Sequence, residues 1–342
     1  MIRSAAALGL AAAAFVATSG LAAAEPVAHE VVVPAPGAEL AGTLLVPDNP
    51  KGVLVFVTGA GPHPRDQVIS GAPMFAELAE ALAEGGWASL RVDERGVEGS
   101  TGEITPHALA RVQDVVATID FAASQGLGPV GVLGHSEGAL IAPLAEAERG
   151  RAVEFLVLLG APAAPGSEVW IDQQMANTRA HFGEAATPEK LQAAEDALTA
   201  LVAASIEGDD AGVEEATDAL FRAWGAPQDI WEDGTVAGFA ERMASPEMEV
   251  YLGLDPAAGY AASTDPRLAV YGDLDTQTAP DLNAPLLMDA SAPGQTTLVV
   301  LEDQDHFFLR GEGLAPGEHA FGEMALAPEL PAAILDWLET RR

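Results

Sequence analysis

The chain alternates between short, wholly apolar runs and longer stretches with apolar residues at helical spacing. Val53–Val57, 130–133 and Phe155–Leu159 are continuous apolar runs, as expected for strands that are buried on both faces. Met74–Glu84 has the periodicity of a helix and is followed by Gly85, which favours a helix end. Strands that alternate with helices in this way predict an α/β fold, in which helices cover both faces of a mostly parallel sheet.

The remaining core elements follow the same two patterns. We expect a hairpin from 29–33 and 40–46, with Pro36 and Gly37 in a connection longer than two residues and the register left open. Strands are also predicted at 87–92, 268–271 and 297–301, and helices at 106–124 and 330–338.

The alternation is interrupted at 165–265, where the sequence is mostly helical. Thr187-Pro188 is typical of a helix start, because the threonine can cap the first turn and proline fits its first position. We interpret this stretch as a helical cap inserted into a core formed by 25–164 and 266–342, since the strand pattern resumes after it. The alternative is a separate helical domain with its own function.

Residues 1–24 have the order of features found in a secretory signal peptide. Arg3 supplies a charged start, an apolar run follows, and the alanines at 22–24 offer a small-residue cleavage site before Glu25. The apolar run is short and rich in alanine, so we expect cleavage rather than a membrane anchor. The predicted location of the protein is periplasmic or secreted.

Composition restricts the possible partners. The 342 residues include 51 acidic and 16 basic side chains, which give a formal net charge of −35. This acidity disfavours nucleic acid as a partner. Cysteine is absent from the sequence, so no disulfide supports the fold. We expect no metal or organic cofactor, because the sequence contains no H-E-x-x-H motif, Walker loop or cysteine ligand set.

The stretch that says most about chemistry is Gly134-His135-Ser136-Glu137-Gly138, which reads G-x-S-x-G. It lies between a predicted strand and a predicted helix, the context in which this motif holds a serine in a strained turn. The hydroxyl is then exposed at the top of the sheet. A chance match is the alternative in a chain with 35 glycines, but the surrounding strand and helix favour a nucleophile.

A serine hydroxyl becomes a strong nucleophile when a base takes its proton and an acid orients that base. Our candidate base is His306, which follows the last predicted strand, and His319 is its competitor. Our candidate acid is Asp275. Asp273 follows the same strand and remains the alternative.

The negative charge that develops on a substrate during such an attack needs hydrogen-bond donors. The expected oxyanion hole combines the backbone N–H groups of Glu137, which follows the serine, and Ala60, in the loop after a buried strand. Arg65 and Asp66 are expected to brace that loop, and a solvated pair is the alternative.

Together these motifs resemble those of bacterial α/β-fold serine hydrolases, in particular the serine aminopeptidase-like and dienelactone-hydrolase-like esterases. One difference is Glu98, at a position where those proteins usually have glycine. The matching stretches are 58–62 with Arg65 and Asp66, Asp93 to Gly96 with Ser100 and Gly102, 134–138, Gly272 with Asp275, and His306.

The resemblance implies an α/β-hydrolase fold and the hydrolysis of a small-molecule carboxylic ester through an acyl-enzyme. A serine aminopeptidase or a thioesterase would use the same three side chains. A protein of another class, a non-catalytic binding protein, could also have this fold, although intact Ser136 and His306 argue against it.

Overall fold

The computed structural model describes residues 25–69, 71–104, 108–149, 153–309 and 325–341. The predicted signal peptide, the start of the predicted helix 106–124 and the competing base His319 lie outside the described residues. The main sheet has eight strands. They are β1 (Val27–Ala35), β2 (Ala38–Val46), β3 (Val53–Val57), β4 (Ala88–Val92), β5 (Val130–His135), β6 (Phe155–Leu159), β7 (Arg267–Gly272) and β8 (Thr296–Leu301).

The order of the strands reverses at β3, in the interior of the sheet. They lie side by side as β1-β2-β4-β3-β5-β6-β7-β8. β2 is antiparallel to β1 and β4, and the pairs from β4 to β8 are parallel. Because β3 has β4 on one side and β5 on the other, the connections on either side of it run in opposite directions. Open α/β sheets bind ligands at such a point, beyond the carboxyl ends of the strands.

The first hairpin is tighter than the sequence indicated. Ala35 pairs with Ala38, so that only Pro36 and Gly37 remain in the turn. Gly37 has a φ of 75°, in the left-handed region that glycine adopts without a steric penalty. The prediction of a longer connection was wrong because Pro34 continues the strand. β1 is an edge strand, where a missing N–H group is tolerated.

Helices surround the sheet and fill the chain between β6 and β7. In chain order the described helices are α1 (Met74–Glu84), α2 (Val112–Ser124), α3 (Glu137–Arg149), α4 (Gly166–Phe182), α5 (Pro188–Glu207), α6 (Asp210–Ala223), α7 (Asp229–Glu232), α8 (Thr235–Met243), α9 (Pro246–Leu252), α10 (Ala257–Ala262), α11 (Pro280–Asp289) and α12 (Glu329–Glu339). A short 3₁₀ turn at Ala108–Arg111 precedes α2.

Two apolar layers hold these helices on opposite faces of the sheet. α2, α3 and α11 pack on one face through Ile119, Ile141 and Leu287, all fully buried. α1 and α12 pack on the other face through Leu78 and Ile334, which are also fully buried. Burial of each such side chain contributes about 1.5–3 kcal/mol. The predicted sheet with helices on both faces is therefore confirmed.

Helices α4 to α10 form an inserted helical segment with an apolar cluster of its own. Leu198, Leu201 and Leu220 are fully buried in this cluster. α5 begins as predicted, because the Thr187 hydroxyl accepts a hydrogen bond from the N–H group of Lys190. The division of the chain into core and cap at residues 165 and 265 stays a prediction.

The residues between β6 and the inserted helical segment are tied to the core by buried side chains. The Asn283 Oδ1 atom accepts hydrogen bonds from the N–H groups of Ala163 at 2.8 Å and Ala164 at 3.1 Å. The Tyr271 hydroxyl donates to the carbonyl of Ala161 at 2.8 Å. The chain therefore leaves the sheet along a path fixed by α11 and β7.

The loop after β4 contains the residue that differs from the resembling proteins. Glu98 has a φ of 44°, so it adopts the left-handed conformation that glycine takes most easily. A side chain in that conformation costs about 1–2 kcal/mol. The buried Asp93 carboxylate accepts hydrogen bonds from the N–H groups of Gly99 and Arg65. These bonds hold the loop in a glycine-type turn even though position 98 carries glutamate.

Candidate active site

The turn between β5 and α3 holds Ser136 in a strained conformation. Its φ is 55°, and its N–H group donates to the carbonyl of Leu159 at 2.8 Å. A Cβ atom added to Gly138 would overlap the carbonyl oxygen of Val57, and one added to Gly134 would overlap that of Gly138. Both glycines of the motif are therefore required by the close approach of α3 to β5 and β3.

A buried aspartate and histidine lie beside this turn. The Nδ1 atom of His306 is 2.8 Å from the Oδ2 atom of Asp275, and both side chains are almost completely shielded from solvent. The same carboxylate accepts the N–H groups of Gln277 and Thr278, each at 2.8 Å, and the Thr278 hydroxyl at 2.8 Å. Asp275 is thereby fixed as the hydrogen-bond acceptor that orients His306.

The two candidate acids have different surroundings in the structure. Asp273 is exposed, and its carboxylate lies 3.4 Å from the backbone nitrogen of Gln304. Burial acts to raise the pKa of the Asp275 carboxyl. The charge of His306 and hydrogen bonds from His306 and Thr278 outweigh burial, and hold this pKa below its usual value. Asp275 is therefore ionised at neutral pH.

His306 reaches the serine turn across the end of β6. A Cβ atom on Gly160 would lie 3.1 Å from the imidazole ring, so glycine lets the ring sit close to the backbone. The backbone N–H group of Ser136 donates to the carbonyl of Leu159, the residue before Gly160. Across the described ranges, no hydrogen bond joins the Ser136 hydroxyl to His306. Such a bond commonly tightens only when substrate is bound.

Ser136 opens into a cavity of 380 Å³ between the sheet and the inserted helical segment. Ala60 and Glu137, the two predicted oxyanion-hole residues, line the same cavity. Trp170 of α4 and Met248 of α9, both in the inserted helical segment, also line it. The structure thus brings the predicted nucleophile and both predicted N–H donors to one space that a small molecule could enter.

In sequence, the chain resembles known hydrolases. A family model described as serine aminopeptidase, S33, matches residues 48–203. The esterase EstD of Thermotoga maritima is 25% identical over 281 residues, which cover 80% of this chain and 59% of that protein. The chain therefore spans about three fifths of the length of that relative.

The architecture is shared with solved structures of two esterases. A Pyrococcus furiosus esterase gives a TM-score of 0.54 at 14% identity, covering 92% of this chain and 90% of that one. Est1E of Butyrivibrio proteoclasticus, with ferulic acid bound, gives 0.52 at 17% identity, covering 91% and 98%. The chain has the α/β-hydrolase fold. In this fold the nucleophile, the acid and the histidine follow each other along the chain, as Ser136, Asp275 and His306 do.

The loop of the α/β-hydrolase fold that contains Ala60 is held by a buried arginine that the sequence analysis missed. The Arg111 guanidinium donates to the carbonyl oxygens of Gly59 at 2.9 Å and Thr58 at 3.2 Å. It also forms ion pairs with Glu94 at 2.9 Å and Glu137 at 3.3 Å. Arg111 therefore fixes the backbone on which one of the predicted oxyanion donors lies.

Glu94 is the second residue of this network that the sequence did not reveal. Burial raises the pKa of its carboxyl to about 7, although the charge of Arg111 and a hydrogen bond from Thr58 oppose that rise. Arg111 and Glu94 belong to different predicted elements, a helix and a loop, so their ion pair leaves no local pattern in the sequence. Arg111 ends the 3₁₀ turn before α2, and Asp114 and Thr118 of that helix are also buried and polar, so the arginine did not stand out in the sequence.

Arg65 and Asp66 each have a partner of their own and do not form a solvated pair. The Arg65 guanidinium contacts the Asp93 carboxylate at 2.8 Å and that of Glu30 at 2.8 Å. Asp66 forms an ion pair with Arg91. These contacts connect the loop after β3 to strands β1 and β4.

His135, which precedes the nucleophile, is completely enclosed. Its Nε2 atom is 2.9 Å from the carbonyl oxygen of His306, and its Nδ1 atom is 2.8 Å from the side-chain nitrogen of Gln67. Burial, together with the charge of His306, lowers the pKa of its imidazole to about 3. His135 is therefore neutral in the folded protein at neutral pH.

No helix in the described ranges combines the length and apolar character needed to cross a membrane. Within the same ranges, no group of three or more His, Asp or Glu side chains is arranged to hold a metal ion.

The neutral state of His135 makes stability depend on pH. The unfolded chain protonates this histidine below about pH 6.5 and the folded chain only below about pH 3, so between them the unfolded state binds more protons. The free energy of unfolding should therefore fall as pH drops through this window. One proton gives a slope of at most about 1.4 kcal/mol per pH unit.

Urea unfolding between pH 6 and 4 tests this prediction. The free energy of unfolding of His135→Gln should change less steeply with pH than that of the wild type. His29→Gln, which changes an exposed histidine, should keep the wild-type slope, and equal slopes in all three proteins would contradict the prediction.

Proposed function

We propose that the protein is a serine hydrolase that cleaves carboxylic esters through an acyl-enzyme intermediate. The observation that carries this proposal is the buried Asp275–His306 pair, placed beside the strained turn of Ser136 at the wall of a cavity. The esterase names of EstD and of the two solved structures agree with it.

In the proposed reaction the Ser136 Oγ atom attacks the ester carbonyl carbon while His306 takes the serine proton. Asp275 stabilises the resulting imidazolium through the bond to Nδ1. The backbone N–H groups of Ala60 and Glu137 bind the oxyanion, and one such donor contributes about 3–4 kcal/mol to the transition state. His306 then protonates the leaving alcohol. In the second half of the reaction His306 takes a proton from water, which attacks the acyl-enzyme, and returns that proton to the Ser136 Oγ atom as the carboxylic acid leaves.

Substitution of the acid and the nucleophile tests this assignment. Ser136→Ala should lower kcat for p-nitrophenyl acetate by about 10⁴-fold or more, because the nucleophile is lost. Asp275→Asn should lower kcat by about 10⁴-fold, since an amide neither stabilises the imidazolium nor favours the right tautomer. Asp273→Asn is the matched control, two positions away and exposed, and should stay within about twofold of the wild type. A larger loss in Asp273→Asn than in Asp275→Asn would show that the acid is misassigned.

Labelling with a fluorophosphonate separates an enzyme from a non-catalytic binding protein with this fold. The probe phosphonylates an activated serine, so the wild type should be labelled and Ser136→Ala should not. A folded wild type that resists the probe would favour the binding protein.

The lining of the cavity favours an apolar ester. Apart from Trp170 and Met248, the larger aliphatic residues on its walls are Leu109, Leu140, Val169, Val250 and Leu254. Met175 and Trp224 pack among the helices of the inserted segment and do not line the cavity. Phe182 packs beneath the ammonium group of Lys190.

We expect short acyl esters to be better substrates than amides. The leaving nitrogen of an amide must be protonated as it departs, which requires accurate placement near His306, and general acid catalysis of this kind is worth about 10²–10⁴-fold. For one acyl group, kcat/KM for the p-nitrophenyl ester should therefore exceed that for the p-nitroanilide by about 10²-fold or more. Comparable turnover of aminoacyl amides, in a preparation that Ser136→Ala inactivates, would identify a peptidase.

A serine aminopeptidase is the second candidate, and one feature of the cavity favours it. The carboxylates of Glu137 and Glu247 belong to residues that line the cavity, and the free amino terminus of a peptide is a cation. The aminoacyl arm of the same panel decides between the two activities, and a thioester arm tests a thioesterase with the same triad.

We also propose that residues 1–24 direct export to the periplasm or medium and are then removed. The support is the order of a charged start, an apolar run and small residues at 22–24. N-terminal sequencing of protein recovered from the periplasm should begin at or near Glu25. A product that still begins at Met1 would overturn the proposal.

A further inference from the structure

A chain of buried hydrogen bonds joins the three segments that carry the proposed catalytic groups. The N–H group of Gly59 donates to the Oε1 atom of Gln67 at 2.7 Å. The Nε2 atom of Gln67 is 2.8 Å from the Nδ1 atom of His135, and the Nε2 atom of His135 is 2.9 Å from the carbonyl oxygen of His306. This series of hydrogen bonds thus starts at the residue before Ala60, passes through His135, the residue before Ser136, and ends at the backbone of His306.

Only one direction of donation satisfies every group in this chain. The Gly59 amide can only donate, so the oxygen of the Gln67 side chain must face it. The amide nitrogen of Gln67 must then donate to the Nδ1 atom of His135. The His135 proton is consequently on Nε2, where it is donated to the His306 carbonyl, which can only accept.

Burial makes this arrangement costly to disturb. Gln67 and His135 are each 1% exposed, and an unpaired polar group at such a depth costs about 1–3 kcal/mol. Gln67 also has a φ of 43°, in the left-handed region, and its backbone N–H group donates to the carbonyl of Pro64 at 3.0 Å. A residue other than glycine in this strained conformation is commonly kept where its side chain has a specific task.

We infer that Gln67 is a positioning residue for the proposed reaction. Through its hydrogen bonds to Gly59 and His135, it holds the Ala60 loop and the His306 backbone in place on either side of Ser136. This inference rests on the proposed function. The groups it sets in place, the Ala60 N–H donor and the His306 base, act most strongly in the transition state. Loss of Gln67 should therefore lower kcat far more than it changes KM.

A second glutamine provides a matched control for the removal of Gln67. Gln304 is also 1% exposed and precedes His306 by two positions, but its Oε1 atom has no hydrogen-bond partner among the described residues. Gln67→Leu should lower kcat by about 10–100-fold with KM within about threefold, since displacement of a catalytic group by about 1 Å has effects of this size. Gln304→Leu should keep kcat within about twofold of the wild type.

The tautomer of His135 tests the direction of donation by a readout that does not depend on activity. If the side-chain nitrogen of Gln67 donates to the Nδ1 atom of His135, the ring proton is on Nε2, whereas the reverse orientation of the amide would place it on Nδ1. The titratable groups that act on His135 are His306, Asp275 and His63. At pH 7, ¹⁵N NMR should show His135 protonated only on Nε2 in the wild type.

The outcomes separate this inference from the function on which it rests. Wild-type protein without Ser136-dependent hydrolysis would overturn the proposed function. With hydrolysis intact, equal kcat values in Gln67→Leu and Gln304→Leu would overturn the positioning role alone. If Gln67→Leu does not fold, Gln67→Met, which is closer in shape, takes its place in the comparison with Gln304→Leu. A wild-type His135 that carries its proton on Nδ1 would also overturn the inference.

Discussion

The close approach of α3 to the end of β3 is the constraint on which the rest of the site depends. Gly138 lies directly against the carbonyl of Val57, and no larger residue fits there. This contact forces the chain to turn sharply at Ser136 and starts α3 at Glu137, opposite the loop that follows β3. The nucleophile and the Glu137 donor are therefore placed by one backbone contact, while the Ala60 loop opposite them has its own supports in Arg111 and Gln67.

Elements with a strong local pattern were predictable from the sequence. α1 has the predicted bounds, Met74–Glu84, because its apolar periodicity and the glycines after it are both local. The nucleophile turn was recognisable for the same reason, since the steric demand falls on two glycines close to Ser136. Asp275 was the candidate acid, but the sequence left Asp273 as an alternative because both residues follow the same strand. The turn formed with Gln277 and Thr278 turns only the second carboxylate toward His306.

The supporting residues were not predictable, because their partners are far away along the chain. Gln67 and His135 are 68 positions apart, and Arg111 and Gly59 are 52 apart. A single sequence gives no sign that such residues meet. Their contacts are nevertheless demanding, because a buried guanidinium that loses its partners leaves an uncompensated charge, which costs about 3–5 kcal/mol. Arg111 satisfies this demand with two backbone carbonyls as well as with Glu94.

The anchoring of the inserted helical segment has a consequence for how this protein can diverge. Asn283 and Tyr271 fix the chain where it leaves the sheet, and β7 receives it again at Arg267. With both ends fixed, lengthening the connection adds only a small loop-closure entropy, about 0.6 kcal/mol for each doubling. The helices from α4 to α9 can therefore be resized without disturbing the sheet, whereas α10 cannot, because its Tyr260 is fully buried in the core layer. Since Trp170 and Met248 line the cavity at Ser136, such a change would alter the space open to a substrate while the strands stay in place.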